Sequence, residues 1–209
     1  MGEQTKIRAP KQARSIDKKE KLIGAAYELF CERGYYKTTT PEVAKRAGLS
    51  VGCLYSYFKD KNDLFLAVVE RYDASFDELR LRALADFSEP GIPLREALRS
   101  LLVELVRIHR ESEALNIEMR ILAYSNPILK ARQETQEAKA RASIVDALSR
   151  NETRLKKLDY EAAAEIVDSL TSGIVHRIAF VHEGPGRAFV DEERLLEATL
   201  DALCAYLLP

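Results

Sequence analysis

Apolar positions recur every three to four residues along nearly the whole chain, and no stretch alternates with period two. The pattern predicts an all-α fold. Leu22, Ile23, Ala26, Leu29 and Phe30 form one stripe, which predicts a first helix over about 17–33, ended by Gly34. Two short helices follow, over about 40–47 and 51–58, separated by Gly48 and Leu49. A long helix then runs over about 61–87 until SEPGIP breaks it at Pro90, Gly91 and Pro93. Further helices are predicted over about 94–110, onward to Tyr124, over 128–150, and over 160–181 and 191–208. Their punctuation is SNP at 125–127 and HEGPGR at 182–187.

The last two helices differ from the others. Ala163, Ile166, Val167, Leu170, Ile174 and Val175 leave only a thin polar strip on the first of them, and the leucines of 191–208 do much the same on the second. A helix apolar on more than one side needs more than one neighbour. One face is therefore expected to pack within the subunit and the other against a second copy, giving an isologous homodimer through 160–181 and 191–208.

Composition narrows the class. The chain has 209 residues, 46% hydrophobic and 31% charged, as in a globular protein. No apolar run approaches the ~18 uncharged residues of a membrane span. The polar, basic N-terminus lacks the apolar core of a secretory signal. Cys31, Cys53 and Cys204 are too widely spaced for a zinc site or a disulfide framework. The expected setting is cytoplasmic, with no membrane, no metal and no cofactor. Charge is unevenly placed: residues 1–65 carry 13 Lys and Arg against 8 Asp and Glu, net +5, and the remainder is net −6. A basic end facing a polyanion fits that split.

The most unusual stretch is TTTPEVAKRAGLSVGCLYSYFKDK, residues 38–61. Thr39 and Glu42 fit a capping box, Pro41 is tolerated in a first turn, Gly48 fits a left-handed cap, and Ser50 fits the next N-cap. Helix, tight turn, helix is the layout of a helix-turn-helix. At 100° per residue, Val51, Leu54 and Phe58 fall on the core side of the second helix. Gly52 and Ser56 fall opposite, flanked by Cys53, Tyr55 and Tyr57. Small residues there permit close approach to a rigid surface, and flanking tyrosine hydroxyls can reach phosphates. The face lacks Arg, Lys, Asn and Gln, the residues that read bases bidentately at about 1–3 kcal/mol each. Sequence preference is accordingly expected from thymine-methyl contact and DNA shape more than from direct hydrogen bonding.

GYYKTTTPEVAKRAGLSVGCLYSYFKDKNDLF resembles the DNA-binding signature of TetR-family transcriptional regulators, and the likeness covers about residues 16–76. The resemblance implies an N-terminal three-helix bundle with the helix-turn-helix at about 39–58, and a larger C-terminal ligand-binding and dimerisation domain over 77–209. A flexible basic arm, 1–15, would precede them and could add phosphate or minor-groove contacts through Lys6, Arg8, Lys11 and Arg14. Thr40, Ser50, Tyr55, Tyr57 and Lys61 match family positions that contact the DNA backbone, with Thr39 beside them. Val51, Gly52, Cys53 and Ser56 match positions facing the major groove. Cys53 stands where the family most often has threonine, and offers no hydroxyl there.

The expected function is thus a ligand-responsive DNA-binding regulator. It would be a repressor released from a pseudo-palindromic double-stranded operator by a small apolar or amphipathic inducer. Arg107, His109, Arg120, Tyr124 and His176 are the candidate ligand contacts, as the polar residues on helices that should line the C-terminal domain. The alternative is an all-α enzyme or scaffold reusing a helix-turn-helix. Against an enzyme, the sequence has no GxSxG, HExxH, P-loop or GxGxxG.

Overall fold

A computed structural model describes residues 9–180 and 190–209, with side chains from Ser15 onward. Lys6, Arg8, His182 and the loop 182–187 lie outside the described residues, as do the side chains of Lys11 and Arg14. The described residues form nine α-helices: α1 (Ala9–Arg33), α2 (Thr40–Arg46), α3 (Val51–Tyr55), α4 (Lys61–Ser88), α5 (Leu94–Glu111), α6 (Glu113–Ala123), α7 (Pro127–Arg150), α8 (Tyr160–Phe180) and α9 (Glu192–Leu207). A 3-10 turn, Glu152–Arg154, follows α7. The architecture is all-α, with an N-terminal helix-turn-helix domain and a larger C-terminal helical domain. Helix α1 begins at Ala9, well before the expected start near 17. Pro10 sits in its first turn, where a missing N–H costs nothing, whereas the apolar stripe that signals the helix in sequence starts only at Leu22.

The chain divides into two compact units inside α4, the first ending at Asp73 and the second beginning at Ala74. In the first unit, Leu22, Phe30, Leu54, Leu64, Phe65 and Val68 are fully buried. Phe30 meets Phe65 edge-on at 5.7 Å, and Tyr35 lies 4.7 Å from the Phe65 ring, both in the range where aromatic pairs attract. Gly34 adopts φ +85° at the end of α1. Buried Thr38 secures that turn by donating to the Gly34 carbonyl at 2.8 Å. Arg46 on α2 reaches Glu28 and Glu32 on α1, and Arg33 on α1 reaches Glu42 on α2.

In the second unit, the core is built from one stripe each of α5, α8 and α9, with Leu148 of α7. Leu98, Leu102 and Val106 of α5 pack with Val167 and Val175 of α8 and with the leucines of α9. Arg95 and Arg99 of α5 reach Glu193, Glu197 and Asp201 of α9 along the exposed side of that junction. Helix α8 turns Ala163, Val167, Thr171, Val175 and Ala179 inward. Its opposite face leaves Ile166 and Leu170 about 40% exposed. Helix α9 likewise leaves Ala198, Ala202 and Ala205 exposed. No helix of the described residues is long and apolar enough to cross a membrane.

Candidate nucleic-acid interface and candidate ligand cluster

The helix-turn-helix is assembled by local hydrogen bonds. Glu42 accepts from both the Thr39 amide (2.8 Å) and the Thr39 hydroxyl (2.7 Å), fixing the entry to α2. Those bonds hold the Glu42 carboxyl below the usual carboxylate range. Gly48 takes φ +67° in the turn, a conformation costly for residues with a β-carbon. Ser50 then caps α3, its hydroxyl accepting from the Cys53 amide at 3.1 Å. Leu54 is fully buried, and Phe58, beyond the end of α3 at Tyr55, nearly so; Val51, expected on the same core side, is only half-buried, and the helix is shorter than the 51–58 expected.

The outward side holds the other residues. Gly52 is exposed, and a β-carbon built there would meet only Ser50 Oγ at 4.0 Å. Ser56 is exposed, but its hydroxyl donates to the Cys53 carbonyl at 2.6 Å. Val51 and Cys53 are half-buried, and Cys53 is a free thiol. Tyr55 is 52% exposed, and its hydroxyl lies 3.0 Å from Thr40 Oγ1. Thr40 itself is buried, so its hydroxyl acts on Tyr55 and presents little surface of its own. The Tyr57 hydroxyl lies 3.1 Å from Ser15 Oγ. Lys61 Nζ lies 4.1 Å from the centre of the Tyr35 ring, a cation–π distance. The Thr39 hydroxyl is committed to Glu42. The sequence reading missed Ser15, which sits inside the stretch assigned to the arm, and Glu42 as more than a cap.

In the second unit, three of the five candidate ligand contacts come together. His109 on α5 packs against Phe76 (5.3 Å between rings) and Phe180 (5.9 Å). His176 packs against Phe180 at 4.6 Å. Arg120 on α6 donates to the His176 imidazole through its Nη1. A guanidinium only donates, so this contact calls for an unprotonated nitrogen on the His176 ring. His109 Nδ1 lies 2.8 Å from the Leu105 carbonyl, which only accepts, so Nδ1 carries a proton. Burial pushes the His109 imidazole down; the Leu105 bond opposes this and His176 adds to it. Burial, with Arg120 second, pushes His176 down as well. Arg107 is not brought to this cluster: on the exposed face of α5 it pairs with Glu104 and Glu111, each at 2.7 Å. Tyr124 is 93% exposed at the end of α6. Phe76 and Phe180, apolar partners in this cluster, carry no polarity signal in the sequence.

An open groove of about 420 Å³ lies between α4 and α7, lined by Asp77, Arg80, Leu81, Leu84, Lys139 and Asp146 among others. Asp77 pairs there with Arg80 and, at 3.4 Å, with Lys139. Among the described residues no group of three or more His, Cys, Asp or Glu is placed to hold a metal ion.

Residues 22–68 match the family described as bacterial regulatory proteins, tetR family. The HTH-type transcriptional regulator AcrR of Shigella flexneri is 30% identical over 138 residues, 66% of this chain and 62% of that protein. The chain thus spans less than two thirds of that relative's length. Among solved structures, a Mesorhizobium loti protein described as a TetR-family transcriptional regulator superposes with a TM-score of 0.77 at 24% identity, covering 94% of this chain and 99% of that one. A Saccharomonospora viridis protein described as a transcriptional regulator, in complex with choline, gives a TM-score of 0.69 at 16% identity, covering 91% and 97%. Both likenesses speak to the fold.

Proposed function

This chain belongs to the TetR family of bacterial regulatory proteins, and from that premise we propose that it is a homodimeric, ligand-released repressor of transcription. The observation that carries the reading is the outward side of α3. Gly52 leaves open space there, so the short helix can enter a major groove closely. The Tyr55 hydroxyl, partnered by Thr40, stands on its flank to donate to a phosphate. Tyr57, held by Ser15, and Lys61, held over Tyr35, serve the same purpose. These groups set the register on the duplex, since phosphate contacts position and base contacts specify. Ser56 spends its hydroxyl on its own helix, which supports a preference built on methyl contacts and DNA shape.

Two such helices must fall about 34–36 Å apart to enter successive major grooves. The exposed apolar faces of α8 and α9 are the surfaces that would join the two copies. A ligand in the second unit releases DNA if it binds better to a dimer whose helices miss that spacing. Selection of bound duplexes from genomic fragments tests the reading. The expected product is a pseudo-palindrome whose affinity falls steeply with salt, by about 0.9 in log–log slope per neutralised phosphate. Recovery of nothing above random fragments, from protein refolded free of small molecules, overturns it.

A further inference from the structure

The second unit is acidic, and six of its arginines, Arg95, Arg99, Arg107, Arg110, Arg141 and Arg150, reach Asp or Glu. Arg120 differs. Among the described residues its guanidinium meets an imidazole and no carboxylate. The imidazole brings no negative charge, and Arg120 itself is exposed. His176, Phe180, His109 and Phe76 form a chain of edge-to-face rings, each half-buried, so that none is sealed from solvent. On α6, Ile117 (46%) and Ile121 (55%) are exposed, as is Tyr124 at its C-cap. They recur at helical spacing on the side that carries Arg120.

We propose that this cluster, from α4, α5, α6 and α8 of the second unit, is a binding site for a small aromatic carboxylate. The Arg120 fork takes the carboxylate through charge-assisted, bidentate hydrogen bonds. His176, itself a neutral acceptor, yields that place to the stronger one. The ligand ring continues the edge-to-face series with Phe180 and Phe76, where centroid separations of about 4.5–7 Å are favourable. An aliphatic acid satisfies the guanidinium but not the rings, and a neutral aromatic amide satisfies the rings but leaves the charge unmatched. The assignment rests on the regulator reading only for its consequence, that occupancy is read out as release of DNA.

The test is isothermal titration of the full chain with benzoate, benzamide and hexanoate. Benzoate is expected to bind, and the other two to bind at least about tenfold more weakly, the loss for one charged hydrogen-bond pair. Arg120→Gln should lose benzoate by a similar factor, while Arg120→Lys retains part of it. Circular dichroism and the unfolding midpoint of both variants report that the helices persist. The chain has three histidines, so ring resonances assigned by single substitution provide an independent signature: those of His109 and His176 move on adding benzoate. Absence of benzoate binding overturns the site, as does equal affinity for benzamide, equal affinity for hexanoate, or full affinity in Arg120→Gln. Binding of operator DNA is measured separately. DNA binding without benzoate binding sinks this site and leaves the regulator standing, and the reverse result sinks the regulator and leaves the site.

Discussion

A β-carbon at position 52 would meet nothing nearer than Ser50 Oγ at 4.0 Å, so the domain does not need glycine there for packing. Leucine should even favour the helix by up to about 1 kcal/mol. Gly52→Leu is therefore expected to hold or raise the unfolding midpoint while DNA binding, followed by fluorescence anisotropy, collapses. Equal DNA affinity in this variant would mean that α3 does not approach the duplex closely. Gly48 gives the opposite outcome. Its β-carbon would also find open space, but at φ +67° the left-handed backbone costs a non-glycine residue about 1–2 kcal/mol. Gly48→Ala should lower stability by that amount in denaturant titration without any steric clash. Thr40→Val keeps the shape of a buried side chain and removes the hydroxyl beside Tyr55. DNA affinity should fall severalfold, in line with about 0.5–1.5 kcal/mol for one hydrogen bond, with the fold unchanged.

At the scale of elements, the ring cluster ties the second unit to pH. His109 and His176 are both pushed below their ordinary value of 6.5 in the folded chain. The unfolded chain thus binds protons at a pH where the folded one does not. Their contribution to stability is complete above pH 6.5 and is lost as pH falls through the lower folded values. The unfolding midpoint should drop between pH 7.5 and 5.5, and His109→Leu should flatten that drop; an unchanged slope would show that the ring is not held neutral. What was legible in the sequence follows the same division of scale. The helix-turn-helix was legible because its signals are local: Gly34 and Gly48 end turns, Thr39 with Glu42 and Ser50 start helices, and Leu54 and Phe58 show the buried face. The start of α1 at Ala9 was not, because its first turns carry no core stripe. Nor was the meeting of Phe76, His109 and Phe180, because periodicity reports which face of a helix is apolar and says nothing about which helix it meets.

At the scale of the molecule, one apolar face of α8 remains after the core is built. Ile166 and Leu170 stay about 40% exposed, and Gly173 on the same helix has open space around it. Coverage by a second copy would bury them isologously. A charge placed at the centre of such a patch cannot be desolvated cheaply, so Leu170→Asp should sediment as a monomer with its helical content intact. The monomer should also lose operator affinity, since one half-site supplies only part of the phosphate contacts. A Leu170→Asp chain that stays dimeric places the interface elsewhere.

The five residues of α3 separate what holds the domain from what the proposed interface presents. Leu54 alone of them is buried, and the two flanking serines are occupied with the helix's own backbone. Inherited changes at 52, 53 or 56 can therefore be tried one at a time without first repairing the fold. If α3 meets DNA as proposed, a gene duplicate carrying this helix is free to drift toward a different target sequence while still making a stable protein.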